Sequence, residues 1–206
     1  MLYANGCSFT YGTGLAHKDK AWPFMLAEKL GIKDIETDAE RGISNQYIVR
    51  QTITKVSEHI ANGKKPFVAV GLTAPNRREH QLYMKHFWSP VYDFHNYLIQ
   101  VLTLQNFCVS NNLEYVIFNS LNLTPNLLEP TNFTELCMQA DMKDVFAQLD
   151  MDCIYEDQTF FTYMYDKELF FPTEGDERYM HPNEEAHNGW ADILFADIKN
   201  TRGMKK

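Results

Sequence analysis

Ser8 and His181 are the two residues of this chain whose types and settings could do chemistry together. Leu2-Tyr3-Ala4-Asn5 is a short apolar opening, and Gly6-Cys7-Ser8 turns the chain at its end. Such a turn can set a serine hydroxyl at the carboxyl end of a strand, where open α/β sheets keep their ligand crevices. Met180-His181-Pro182-Asn183 offers an imidazole just ahead of a helix start. A serine hydroxyl is a weak nucleophile until a neighbouring base takes its proton, and histidine is the commonest such base. Serine early and histidine late therefore suggest a hydrolase with a serine nucleophile. Other readings stay open on the local residues alone. Capping a turn is the commoner role of a serine after glycine. Cys7 could act in a Cys–His pair, which ranks below Ser8. The G-x-S-x-G elbow is absent, because Thr10 stands in the place of its second glycine. Glycines 6, 12 and 14 do not make a phosphate loop, since no Lys-Ser/Thr follows them.

Two further segments supply groups for such a site. Glu40-Arg41-Gly42-Ile43-Ser44-Asn45 puts a glycine at a helix entry, where free backbone N–H groups can face an oxyanion. Val70-Gly71-Leu72-Thr73-Ala74-Pro75-Asn76-Arg77 is a strand that ends in a polar loop. His187 reads as a packing or surface residue of the last helix. His80, His86 and His95 show no metal-ligand spacing, and Cys7, Cys108, Cys137 and Cys153 form no CxxC pair, so neither a metal nor a cofactor is expected. Arg77 and Arg78 read as a solvated loop pair, with contact to an anionic substrate as the alternative.

In this order, these segments resemble the short blocks of the SGNH/GDSL hydrolase superfamily. Gly6-Cys7-Ser8 matches the first block, with Cys7 where aspartate is usual. Gly42 matches the second-block glycine, whose amide helps to bind the oxyanion. The run from Trp22-Pro23 to Gly42-Ile43-Ser44-Asn45 looks like phage and environmental members of the group. The third block is normally Gly-x-Asn-Asp, and Gly71-Leu72-Thr73-Ala74 puts Thr73 at its asparagine. Either the Thr73 hydroxyl or Asn76 from a shifted loop would then donate to the oxyanion, or Thr73 only caps the strand. The last block is normally Asp-x-x-His, but Arg178 stands three before His181. Asp176, Glu177 or a backbone carbonyl would have to orient the imidazole instead. The resemblance implies a flavodoxin-like three-layer α/β/α sandwich that cleaves acyl esters without a cofactor.

The elements that must hold these groups can be read from periodicity. Leu2 to Asn5, Phe67 to Leu72 and Tyr115 to Asn119 read as buried strands, and Asp152 to Tyr155 as a short edge strand. Trp22 to Leu30 reads as a helix with Gly31 as its C-terminal cap. Ser44 caps a helix with the stripe Val49, Ile53, Val56, Ile60. Residues 92–112 read as a helix with Leu98, Leu102 and Val109 inward, and Leu136 to Leu149 as a weaker one. Asn183 starts a helix to Ile198 with Trp190, Ile193, Leu194 and Ile198 facing inward. Strands that alternate with helices predict a parallel sheet of about five strands in one domain over residues 1–206. Residues 73–90, 120–135 and 156–182 are expected to form a loop rim with Phe87-Trp88, Phe160-Phe161 and Phe170-Phe171.

The chain has 206 residues, 19 of them Lys or Arg and 27 Asp or Glu, giving a net charge of −8. That balance argues against a nucleic-acid partner. No leader-like or membrane-spanning apolar run is apparent, so a cytoplasmic protein without membrane contact is the default. The residues thus predict an esterase acting on a small-molecule or carbohydrate ester, such as an O-acetyl group, through Ser8 and His181. An acyltransferase, or a catalytically silent carbohydrate-binding protein on the same scaffold, fits the same blocks.

Overall fold

Three short segments, Leu2–Gly6, Phe67–Leu72 and Tyr115–Asn119, alternate their side chains between two apolar layers, and that alternation builds the molecule. The structure, a computed structural model, describes residues 1–77, 90–123, 142–151, 154–155, 158–171 and 179–202. Strands β1 (Leu2–Gly6), β2 (Ile35–Thr37), β3 (Phe67–Leu72), β4 (Tyr115–Asn119) and β5 (Ile154–Tyr155) form one sheet in the order β2-β1-β3-β4-β5. Every pairing is parallel, with Gly6 opposite Gly71 and Leu72 opposite Asn119. Leu2, Ala4, Phe67, Ala69, Val116 and Phe118 point to one side. Tyr3, Val68, Val70, Leu72, Tyr115 and Ile117 point to the other. A period of two with both faces apolar marks strands buried between helical layers.

The helices complete those layers. α1 (Ser8–Tyr11) is a single turn leaving β1, followed by a 3-10 turn at Lys18–Lys20 and by α2 (Trp22–Leu30). α3 (Asn45–Ala61) and α4 (Pro90–Ser110) carry Ile48, Val49, Val56, Leu98, Val101 and Leu104 onto one face of the sheet. α5 (Lys143–Phe146) and α6 (Phe160–Asp166) follow, and α7 (Glu184–Arg202) ends the chain. Trp22 and Leu26 of α2 meet Trp190, Leu194 and Ile198 of α7 on the opposite face. The result is a three-layer α/β/α sandwich. No helix among the described residues is long and apolar enough to cross a membrane.

Helix ends follow their capping residues. Ser44 Oγ accepts the Tyr47 N–H at 3.2 Å, and Asn183 Oδ1 accepts the Ala186 N–H at 2.9 Å. Gly31 ends α2 in the left-handed region, with φ 71°.

Four expectations need correction. Val109 is not inward but 58% exposed, because the buried stripe Tyr97, Leu98, Val101, Leu104, Cys108 runs along the neighbouring face of α4 and leaves Val109 at its margin. The short strand β2, beside β1, was not foreseen. Phe160 and Phe161 belong to α6 and are fully packed in the core rather than on a loop rim. Between positions 136 and 149, helix is described over Lys143–Phe146, and residues 136–141 lie outside the described residues. Phe87 and Trp88 lie outside them as well.

Candidate active site

The sheet order sets the place of the site before any side chain is considered. In the order 2-1-3-4-5, connections leave β1 and β3 in opposite directions, and the crevice opens beyond the carboxyl ends of those two strands. Gly6 and Gly71 are register partners, so Ser8 and Thr73 each lie two residues beyond that pair, at the ends of adjacent strands. A side chain at Gly6 would collide with Thr10 Oγ1 and stand 2.6 Å from the Gly71 carbonyl oxygen. The close approach of β1, α1 and β3 therefore requires glycine there.

Ser8 is the first residue of α1, in the turn where helix N–H groups lack intrahelical acceptors. Its side chain is nearly buried, at 7% exposure. His181 Nε2 lies 3.1 Å from Ser8 Oγ, and His181 Nδ1 lies 3.2 Å from the Tyr179 carbonyl oxygen. A carbonyl oxygen only accepts, so Nδ1 must carry the ring proton. Nε2 is then the acceptor, and the Ser8 hydroxyl donates to it. The proton arrangement a general base needs follows from those two contacts.

The loop carrying His181 is held on both sides. The Phe171 N–H donates to the His181 carbonyl at 3.0 Å, and the Met180 N–H to the Phe171 carbonyl at 3.2 Å. Met180 itself has φ 58°, a left-handed conformation uncommon for a residue with a Cβ. It sits between the Tyr179 carbonyl and the ring that carbonyl orients. The imidazole also packs on the buried Phe9 ring, with centroids 5.5 Å apart.

Thr73 is fixed by a residue that the sequence reading used only to mark a block. Asn45, at the start of α3, donates from Nδ2 to the Thr73 carbonyl and accepts the Thr73 N–H on Oδ1, both at 2.8 Å. Asn45 is buried, and its amide joins the second-block helix to the loop after β3. The signal available in the sequence was an Asn directly after a Ser cap, which alone does not reveal a partner elsewhere in the chain. Thr73 Oγ1 is buried and has no hydrogen-bond partner among the described residues. Gly42 lies in an exposed turn with φ 73°. The Glu40 N–H donates to the Gly6 carbonyl at 3.1 Å, fastening that segment to the end of β1.

The remaining expectations divide. Asn76 is half-buried in the turn after Thr73, and no hydrogen bond joins it to Ser8, Gly42 or Thr73. Asp176 and Glu177 lie outside the described residues. Cys7 is fully buried among apolar side chains, in keeping with its rank below Ser8. His187 is a packing residue, fully buried, whose Nδ1 accepts the Trp22 N–H at 3.2 Å. Arg77 is half-buried with Nη1 out of solvent, so it is not a solvated loop residue.

Solved structures of GDSL-type hydrolases share this three-layer architecture. A member of the lipolytic protein G-D-S-L family from Veillonella parvula superposes with a TM-score of 0.52, at 12% identity over 99% of this chain and 98% of the other. The psychrotrophic esterase EstA from Pseudoalteromonas sp. does so with a TM-score of 0.59, at 13% identity and 98% of each chain. A two-domain esterase active on acetylated mannans matches with a TM-score of 0.54, at 9% identity over 98% of this chain and 49% of the other. No family model and no curated protein sequence matches the chain.

Proposed function

We propose that the protein is a serine ester hydrolase working through an acyl enzyme. The observation that carries this reading is the 3.1 Å contact between Ser8 Oγ and an imidazole nitrogen whose lone pair faces it. His181 Nε2 takes the hydroxyl proton as Ser8 Oγ attacks the ester carbonyl. The Ser8 and Gly42 amides and the Thr73 hydroxyl hold the oxygen that becomes negative, and a donor aimed at developing charge is the largest single aid to such reactions. The unpaired, buried Thr73 hydroxyl supports its assignment over Asn76. The intermediate then collapses, His181 protonates the departing alcohol, and water activated by the same imidazole releases the acid. The Tyr179 carbonyl supports that role by accepting from Nδ1, and Asp176 is the side chain proposed to hold the ring beside it. A short acyl group such as acetate on a carbohydrate fits this reading, and it is supported by the likeness to the acetylated-mannan esterase.

Hydrolysis of para-nitrophenyl acetate tests the proposal. Ser8→Ala and His181→Ala should each lower turnover by roughly a millionfold, as expected when nucleophile or base is lost from such a unit. Wild-type turnover by folded Ser8→Ala would overturn it.

A further inference from the structure

Three described residues other than glycine have a left-handed backbone: Asn112, Glu168 and Met180, with φ 52°, 56° and 58°. Two of them close helices. After α4, the Asn112 N–H donates to the Val109 carbonyl at 3.0 Å and the Leu113 N–H to the Cys108 carbonyl at 2.9 Å. After α6, the Glu168 N–H donates to the Tyr165 carbonyl at 3.1 Å and the Leu169 N–H to the Met164 carbonyl at 2.8 Å. That pair of bonds is the usual closure of a helix end around a left-handed residue. Met180 closes no described helix, so its conformation has another cause.

The cause lies in how the chain around His181 pairs with the segment after α6. The Asn183 N–H donates to the Leu169 carbonyl at 3.0 Å, and Phe170 pairs antiparallel with Pro182. The next partners in that register are Phe171 and His181, and the Phe171 N–H does donate to the His181 carbonyl, at 3.0 Å. A regular ladder returns a bond from the His181 N–H. Here the Met180 N–H supplies it, at 3.2 Å. Two residues thus face one, which is a β-bulge, a device that re-aims side chains next to active sites. In the bulge type whose first residue is left-handed, that residue is normally glycine. Met180 instead carries a side chain, half-buried against the layer that holds Trp22 and Trp190. The bulge also brings the Tyr179 carbonyl to 3.2 Å from His181 Nδ1, across the ring from the nitrogen that meets Ser8. Left-handed residues with a Cβ persist only where their surroundings hold them, and they gather at active sites.

We propose that Met180 is a positioning residue whose left-handed backbone, rather than its side chain, aims His181 Nε2 at Ser8. The inference rests on the hydrolase reading of Ser8 and His181. It adds what fixes their alignment. An extended residue at position 180 would undo the bulge and swing the Tyr179 carbonyl off Nδ1. Part of the molecules would then carry the ring proton on Nε2, and that tautomer cannot accept from the Ser8 hydroxyl.

Four substitutions separate backbone from side chain, because the two requirements rank them in opposite order. Gly and Asn tolerate the left-handed region and lack an apolar side chain, whereas Val and Ile are apolar and β-branched and are genuine outliers there. Met180→Val and Met180→Ile should lose about a hundredfold in kcat on para-nitrophenyl acetate with KM little changed, the cost of a misplacement of about 1 Å. Met180→Gly and Met180→Asn should lose far less. Circular dichroism shows which variants are folded. Where Val and Ile do not fold, the other two carry the test, and turnover retained in both supports the inference. Kinetics with Val and Ile above Gly and Asn, or a loss of about a hundredfold in folded Gly and Asn variants, would assign Met180 to packing and overturn it. Nitrogen-15 NMR of His181, at a pH where the ring is neutral, reads the same alignment without turnover. The proton should sit on Nδ1 in wild type and in the Gly and Asn variants, and appear on Nε2 in Val and Ile. That pattern in a wild-type protein that hydrolyses no ester would remove the hydrolase reading and keep the role of Met180. One tautomer unchanged across all the folded variants, Val or Ile among them, would overturn the inference.

Discussion

Thr73 carries a contradiction that its proposed role resolves. A buried hydroxyl without a hydrogen-bond partner costs about 1–3 kcal/mol relative to a satisfied one. Asn45 meanwhile satisfies both the N–H and the C=O of the same residue, so the backbone is anchored while the hydroxyl is left over. A donor held ready for an oxygen that becomes charged only during reaction is the arrangement an oxyanion site needs. Thr73→Val keeps the shape and removes the hydroxyl. Its unfolding free energy should match wild type or exceed it by up to about 1–3 kcal/mol, because no bond is broken and an unsatisfied buried hydroxyl is removed. Its kcat on para-nitrophenyl acetate should fall by about a hundredfold, the lower end of the cost of one oxyanion donor. Denaturant titration and steady-state kinetics on the same sample check both halves. Equal loss of stability and activity would assign Thr73 to structure alone.

The elements around the crevice work because the parallel neighbours β1 and β3 place glycines side by side at their carboxyl ends, Gly6 against Gly71. A Cβ on Gly71 would meet Ser120 Oγ at 2.6 Å, Thr10 Oγ1 at 2.8 Å and Phe118 Cζ at 2.9 Å. Two of these atoms are buried hydroxyls and the third belongs to a core ring, so none moves freely. Gly71→Ala should therefore lower the unfolding free energy by about 1–3 kcal/mol, as overpacking does, seen as a lower denaturant midpoint. These elements were largely legible in the sequence. Gly6-Cys7-Ser8, the run Phe67–Leu72 and the caps Ser44 and Asn183 are local signals, and they lie where they were read. Ser8 and His181 were also legible as candidates, but the carbonyl that orients the imidazole was one alternative among several. It depends on the left-handed Met180, a conformation no residue type announces. Asn45 as a clamp on Thr73 was hidden because its partner is remote in sequence. α6 was missed because Phe160-Phe161-Thr162-Tyr163-Met164 is apolar nearly all round and shows no helical stripe. Its Thr159–Thr162 capping box uses threonine where glutamate or glutamine is the usual mark. Val109 was misassigned because several apolar positions of α4 lie near one another around the helix, and the buried stripe runs through Leu104 and Cys108 rather than through Leu102 and Val109.

Across the whole molecule, the layer carrying His181 is tied to the front of the sheet through a second histidine. His187 in α7 accepts the Trp22 N–H at the start of α2, and it stacks edge-on against Phe160 with centroids 5.2 Å apart. Burial first, and then the charges of Lys18 and His181, push the His187 imidazole down to about 3. The unfolded chain releases that proton near the ordinary histidine value of about 6.5. Between those values the unfolded state binds more protons than the native state, so stability rises with pH there and is lost as pH falls. Above about 6.5 the contribution is complete and flat. From pH 6.5 down to about 5, before most carboxylates titrate, the unfolding free energy should drop with a slope of up to about 1.4 kcal/mol per pH unit. His187→Gln, which cannot take up the proton, should flatten that segment of the stability–pH curve even where it lowers stability overall. A wild-type curve already flat from pH 5 to 6.5 would place the imidazole's titration elsewhere.

The proposed function turns on one alcohol made reactive by one imidazole. The most direct measurement is the intact mass and peptide map of the protein after exposure to an alkyl fluorophosphonate, which bonds only to an activated hydroxyl. One adduct on Ser8 is predicted, absent from Ser8→Ala and formed far more slowly in His181→Ala. A folded wild-type protein that gains no adduct, or a Ser8→Ala variant that gains the same one, would contradict the account.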